Sequence, residues 1–149
     1  MSARIAIPAG SKLVKGFFDG SLELTNNSDA TIRVCTRCVE GRGVSKDGRF
    51  SHVALIVQRW QTDPPSPEEM ADSSVELAPG KTVTLSFRAV CKKPGKLLLS
   101  ATYDVPEENV PAKHGIWTGR VKAKPVELEV TAEGVTVLTQ SSQPAAGAN

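Results

Sequence analysis

The chain has 149 residues, 40% of them hydrophobic and 23% charged, with a formal net charge of +2. A chain of that length makes one domain and buries roughly 70% of the surface its unfolded form exposes, so its stability demands neither a metal nor a disulfide. So small a net charge argues against a nucleic-acid partner, which calls for a basic patch or stripe, and no apolar run approaches the ~18 residues of a membrane span.

Met1 to Gly10 lacks the apolar stretch of a secretory leader. The expected compartment is therefore the cytoplasm for the sequence as given, or the cell envelope if a leader has been removed. From Ser21 the pattern alternates with a period of two, the signature of a half-buried strand. Leu22 and Leu24 point inward, Asn26 to Asp29 form a polar turn, and Ile32 and Val34 resume the inward row. His52 to Val57 is apolar on both faces, as in a central strand. Ser66-Pro67-Glu68-Glu69-Met70-Ala71-Asp72 holds the one helix signal. There Ser66 is a candidate N-cap, Pro67 suits the first helical position, and the glutamates favour the positive helix end.

Val75 and Leu77 lead into Ala78-Pro79-Gly80-Lys81, where Pro79 and Gly80 suit the centre of a type II turn. Val83, Leu85 and Phe87 then form one face of a strand. After the turn Lys93-Pro94-Gly95, Leu97, Leu99, Ala101 and Tyr103 form the next inward row. Asp104 to Gly115 reads as a long exposed loop, and Ile116 to Val121 as a strand that Ala123-Lys124-Pro125 breaks. Val126, Leu128 and Val130 alternate again, and Val135 and Val137 add a short strand. Residues 141–149 are small and polar and read as a disordered tail, which leaves 1–140 as one domain. The count is about seven to nine strands, the pattern of an all-β, antiparallel sandwich.

Two stretches carry a resemblance. Gly20-Ser-Leu-Glu-Leu-Thr-Asn-Asn-Ser-Asp29, followed by Ile32-Arg-Val34, resembles the early strand of bacterial immunoglobulin-like domains. Leu77-Ala-Pro-Gly80, Gly95 to Tyr103, Trp117 to Val121 and Pro125 to Val130 look like the later half of such domains. The resemblance spans roughly residues 13–131 and implies an immunoglobulin-like β-sandwich with a binding or scaffolding role. A similar strand layout occurs in intracellular proteinase inhibitors and in accessory domains of cell-envelope proteins. It brings no catalytic residue with it. The chain departs from antibody-type domains in lacking their Cys…Trp…Cys order in the early strands.

Cys35-Thr36-Arg37-Cys38 is the one spacing that carries chemistry, since a CxxC can chelate zinc or cycle as a dithiol. With Cys91 and either His52 or His114 it would make a Cys3His set, if the fold joined them. Strand parity places Cys38 in phase with Ile32 and Val34 and Cys91 in phase with Leu85 and Phe87. That predicts Cys38 and Cys91 in the core, facing each other, with Cys35 turned away. Buried structural thiols, a disulfide and a metal site all stay open on this pattern. Gly41-Arg-Gly43 and Asp47-Gly48 read as a flexible loop, with no following helix to make a phosphate cradle.

No serine has a base and an orienting partner, and there is no nucleophile elbow. The expected function is therefore that of a non-enzymatic interaction or scaffolding module without a cofactor. It would present the loops 61–74 and 104–117, or an edge strand, to a protein partner. In the first loop the candidate contacts are Trp60, Pro64, Pro65 and Pro67. In the second they are Pro106, Pro111, His114 and Trp117. Prolines reduce the entropy lost on binding, and tryptophan is enriched at hot spots. The alternatives are a proteinase inhibitor of the same fold and a metal-binding or redox-linked protein using Cys35, Cys38 and Cys91. An unblunted edge strand also makes a homodimer an option.

Overall fold

The computed structural model describes residues 1–45, 51–56, 66–91, 94–107 and 115–139. Among them are eleven strands and one short helix: β1 (Ser2–Ala6), β2 (Phe17–Thr25), β3 (Ile32–Cys35), β4 (Val39–Ser45), β5 (Ser51–Ile56), α1 (Pro67–Asp72), β6 (Ser74–Leu77), β7 (Thr82–Cys91), β8 (Gly95–Val105), β9 (Gly119–Lys122), β10 (Val126–Val130) and β11 (Val135–Thr139). The chain is thus all-β, with more strands than the seven to nine expected.

Nine strands form one antiparallel sheet in the order β1-β2-β7-β5-β4-β8-β10-β11, with β9 pairing a further stretch of β8. The sheet curls so that β1, at one end of this order, lies against β8 and β9. β3 and β6 make a separate antiparallel pair. The predicted inward rows fill the space between. Leu22, Leu24, Leu85, Phe87, Leu97, Leu99, Ala101, Tyr103, Val126, Leu128 and Val130 are all buried in one apolar cluster. At roughly 25 cal/mol per Å² of apolar surface removed from water, these rows are the main favourable contribution to folding.

Local chemistry sets the joints. Gly80 has φ +74°, and the Lys81 amide donates to the Ala78 carbonyl at 3.1 Å, as a type II turn requires. Asn26 is buried, and its amide donates to the carbonyls of Ala30 and Leu77 at 2.8 and 2.9 Å. Its Oδ1 accepts from the Ser28 amide and hydroxyl. One side chain thereby ties the β2–β3 turn to the end of β6. Helix α1 begins as its sequence predicts: Ser66 accepts from the Glu69 amide at 3.1 Å, and Pro67 occupies the first turn.

Four features differ from the sequence reading. β1 was not foreseen, although Ala3 and Ile5 are buried on one face. β4 runs through Gly41 and Gly43, which read as a loop; pairing with β5 and β8 on its two sides holds them extended. Asp104 and Val105 extend β8 into the expected loop. Ile116 and Trp117 precede the strand instead of belonging to it, because Gly119, at φ +141°, starts β9 afresh. The predicted break at 123–125 is present. β9 and β10 pair successive parts of the same side of β8, with Lys122 opposite Thr102 and Val126 opposite Leu99. Three residues thus face two, and the ladder is interrupted between the two strands.

Candidate functional site

β3 ends at Cys35, and the chain turns through Thr36 and Arg37 to Cys38 before β4 begins. The Thr36 amide and hydroxyl both donate to the Ser73 carbonyl, at 2.7 and 2.8 Å. The Tyr103 hydroxyl donates to the Cys35 carbonyl at 2.7 Å, and the Asp104 amide donates to the Cys38 carbonyl at 3.1 Å. This four-residue turn is therefore held at both ends, by the segment after α1 and by β8. Within it the Cys38 thiol donates to Cys35 Sγ at 3.0 Å.

Cys35 is fully buried, Cys38 half-buried and Cys91 6% exposed. None of the three is in a disulfide. The parity expectation is corrected for Cys35 and Cys38, while Cys91 is buried in the apolar cluster as expected. Cys35 belongs to the main apolar cluster and Val34 does not, although both are buried. Cys38 meets Cys35 through its sulfur. The reason lies in β3: it is outside the large sheet, so its facing cannot be inferred from the rows of β2 and β7. A second segment lies along its other side, where the Trp117 amide donates to the Arg33 carbonyl at 2.7 Å.

Electrostatics distinguish the two clustered sulfurs. The Cys35 thiol is held below its ordinary 9.0, chiefly by the hydrogen bond from Cys38. Burial opposes this, while the Arg37 amide and guanidinium add to it. Arg37 also pairs with Glu69 at 3.5 Å, both side chains being largely covered. Together with Ser66, Glu68 and Asp72 they wall an open recess of about 430 Å³. Tyr103 is shifted the other way. Burial raises its phenol above the ordinary 10.0, and the nearby sulfurs add to the effect. Among the described residues no three His, Cys, Asp or Glu side chains converge as metal ligands. Cys91 lies at the end of β7, where its amide donates to the Gly16 carbonyl. The side chain of His52, in β5, lies outside the described residues, as does His114.

The remaining candidates are scattered. Trp60, Pro64, Pro65 and Pro111 lie outside the described residues. Pro67 is taken up in the first turn of α1, so the described part of the 61–74 loop is a helix and the start of β6. Pro106 directly follows β8 and is half-buried. Trp117 is half-buried too: its ring stacks on Tyr103 at 5.8 Å and lies over Gly119, where an added Cβ would be 2.8 Å from Cη2.

The ends of the large sheet are the feature the sequence could not assign. β1 pairs only with β2 and carries Arg4, which is bonded to Glu23 at 3.1 Å. Among the described residues β11 pairs only with β10. Its sequence, Val-Thr-Val-Leu-Thr, has no charge and no proline, and Leu138 is 39% exposed. At its start the Val135 amide donates to the Ser11 carbonyl. From there an open cleft of about 600 Å³ runs between the Pro8–Lys12 segment and residues up to Val137.

Compared with protein-family models, with curated proteins and with solved structures, the chain matches none of them. No helix among the described residues is long and apolar enough to cross a membrane.

Proposed function

We propose that the chain is a non-catalytic binding module of the immunoglobulin-like sandwich class that accepts an extended segment of a partner protein along β11. The order β1-β2-β7 on one side and β4-β8-β10 on the other, with β1 brought against β8, supports the sandwich reading. The single observation that carries the function is the uncharged, proline-free outer edge of β11. Natural sheets protect their edges with lysine, proline or bulges, because unpaired amides and carbonyls template another strand. β1 carries a charge, whereas β11 carries neither charge nor proline; its one irregularity is the register shift at Leu138, between the Leu128–Val137 and Glu127–Thr139 pairs, and its first half, as far as Val137, borders an open cleft. A partner strand added there gains main-chain hydrogen bonds for affinity, and pockets for alternate side chains supply specificity.

The test is a double substitution at two exposed positions of β11, Thr136→Lys with Leu138→Lys, against peptides selected from a library of extended segments. Binding should weaken about tenfold or more, which is 1.4 kcal/mol, with the melting temperature little changed. Undiminished binding by a folded double variant would contradict the assignment. A dimer of the chain itself that dissolves in the double variant would assign the edge to a second copy.

A further inference from the structure

We propose that Cys35 and Cys38 form a reversible dithiol–disulfide site that exchanges with disulfides from solution, Cys38 meeting the external disulfide and Cys35 closing the bond. The site is independent of the β11 edge and stands whether or not that edge binds a peptide. Three observations carry it. The two sulfurs are 3.0 Å apart and neither is in a disulfide, so moving them about 1 Å closer gives the bonded separation of ~2.05 Å. The turn that holds them is fixed by the bonds of Thr36 to Ser73, of Tyr103 to Cys35 and of Asp104 to Cys38, so closure needs little ordering. The pair is asymmetric: Cys38 is half-buried and Cys35 fully buried, so Cys38 is the more accessible of the two.

The exchange is balanced as follows. The Cys38 thiolate attacks one sulfur of a low-molecular-weight disulfide; a Cys38 sulfur–sulfur bond forms, the external bond breaks, and one thiolate leaves. Cys35, as thiolate, then attacks Cys38 Sγ; the Cys35–Cys38 bond forms, the mixed disulfide breaks, and the second thiolate leaves. The protons of the two cysteines end on the two released thiolates. The dithiol has lost two electrons and the external disulfide has gained them. The lowered pKa of Cys35 favours the second step, since the thiolate is the attacking species.

The experiment treats the reduced protein with hydroxyethyl disulfide and follows it by intact-mass and peptide mass spectrometry. The expected product is lighter by two hydrogens and links Cys35 to Cys38, with Cys91 still reduced. Ring closure should be about tenfold faster, or more, in the folded chain than in the same chain unfolded in guanidinium. Cys35→Ala should stop at a stable hydroxyethyl adduct on Cys38, and Cys38→Ala should leave Cys35 unmodified while folded. In case a variant does not fold, brief iodoacetamide labelling of the wild-type protein gives the same order, with Cys38 alkylated first. A wild-type product linked through Cys91, adducts that never close, or first labelling at Cys35 would each overturn the proposal.

Discussion

Tyr103 is where the chemistry of the interior concentrates. Its ring stacks on Trp117, its hydroxyl holds the Cys35 carbonyl, and two sulfurs lie close by. Burial raises its folded pKa above the unfolded value near 10.0, so the unfolded state gives up this proton first. The stability Tyr103 contributes is therefore complete below pH 10 and is lost as pH rises beyond it. Cys35 acts in the opposite sense. Its folded pKa lies below 9.0, so its contribution is present above that value and is lost as pH falls through the folded one. Urea denaturation between about pH 8 and 11 should show stability falling at the alkaline end. Tyr103→Phe should flatten that fall, at a cost of about 1 kcal/mol near neutral pH for the lost hydrogen bond. An unchanged alkaline slope in Tyr103→Phe would place the titrating group elsewhere. Of these residues the sequence marked Tyr103 as inward and Cys35–Cys38 as chemically interesting. It did not show that the two belong together, because that contact joins residues 68 positions apart across two sheets.

The strands that could be read from the sequence are those whose side chains alternate. β2, β7, β8 and β10 each bury every second residue, and helix α1 carries its own start signal in Ser66-Pro67. β4 lacked this signal because two of its seven residues are glycines, which have no side chain to alternate. Its extended form comes from β5 and β8 on its two sides. Gly20 shows the converse, a glycine that a strand requires. It sits opposite Phe87 in the β2–β7 register, and an added Cβ would come within 2.7 Å of Phe87 Cζ and Ile7 Cδ1. Gly20→Ala should destabilise by about 1–3 kcal/mol through overpacking. Combined with Phe87→Leu it should cost less than the two changes summed, because the smaller side chain makes room. A thermal or urea double-mutant cycle measures this coupling, and simple additivity would show that the ring does not set the need for glycine.

On the scale of the whole molecule, the all-β class followed from the number of alternating segments and turns. The order of the strands did not, because pairing between distant segments leaves no local trace. That order decides function here, since it puts β11 at one end of the large sheet and β5 in the middle. It also stacks the half-buried Trp117 on Tyr103 and ties the segment around it to β3. Among the described residues two features are proposed to act outward: the uncharged, proline-free edge of β11, and the Cys35–Cys38 pair. The edge is the central claim, and amide hydrogen exchange with and without a selected peptide tests it most directly. Exchange at the β11 amides that point away from β10, that of Val137 first, should be fast in the free protein and slow on binding, while amides of β1 are unchanged. Protection that appears elsewhere, with β11 exchanging as before, would contradict the claim.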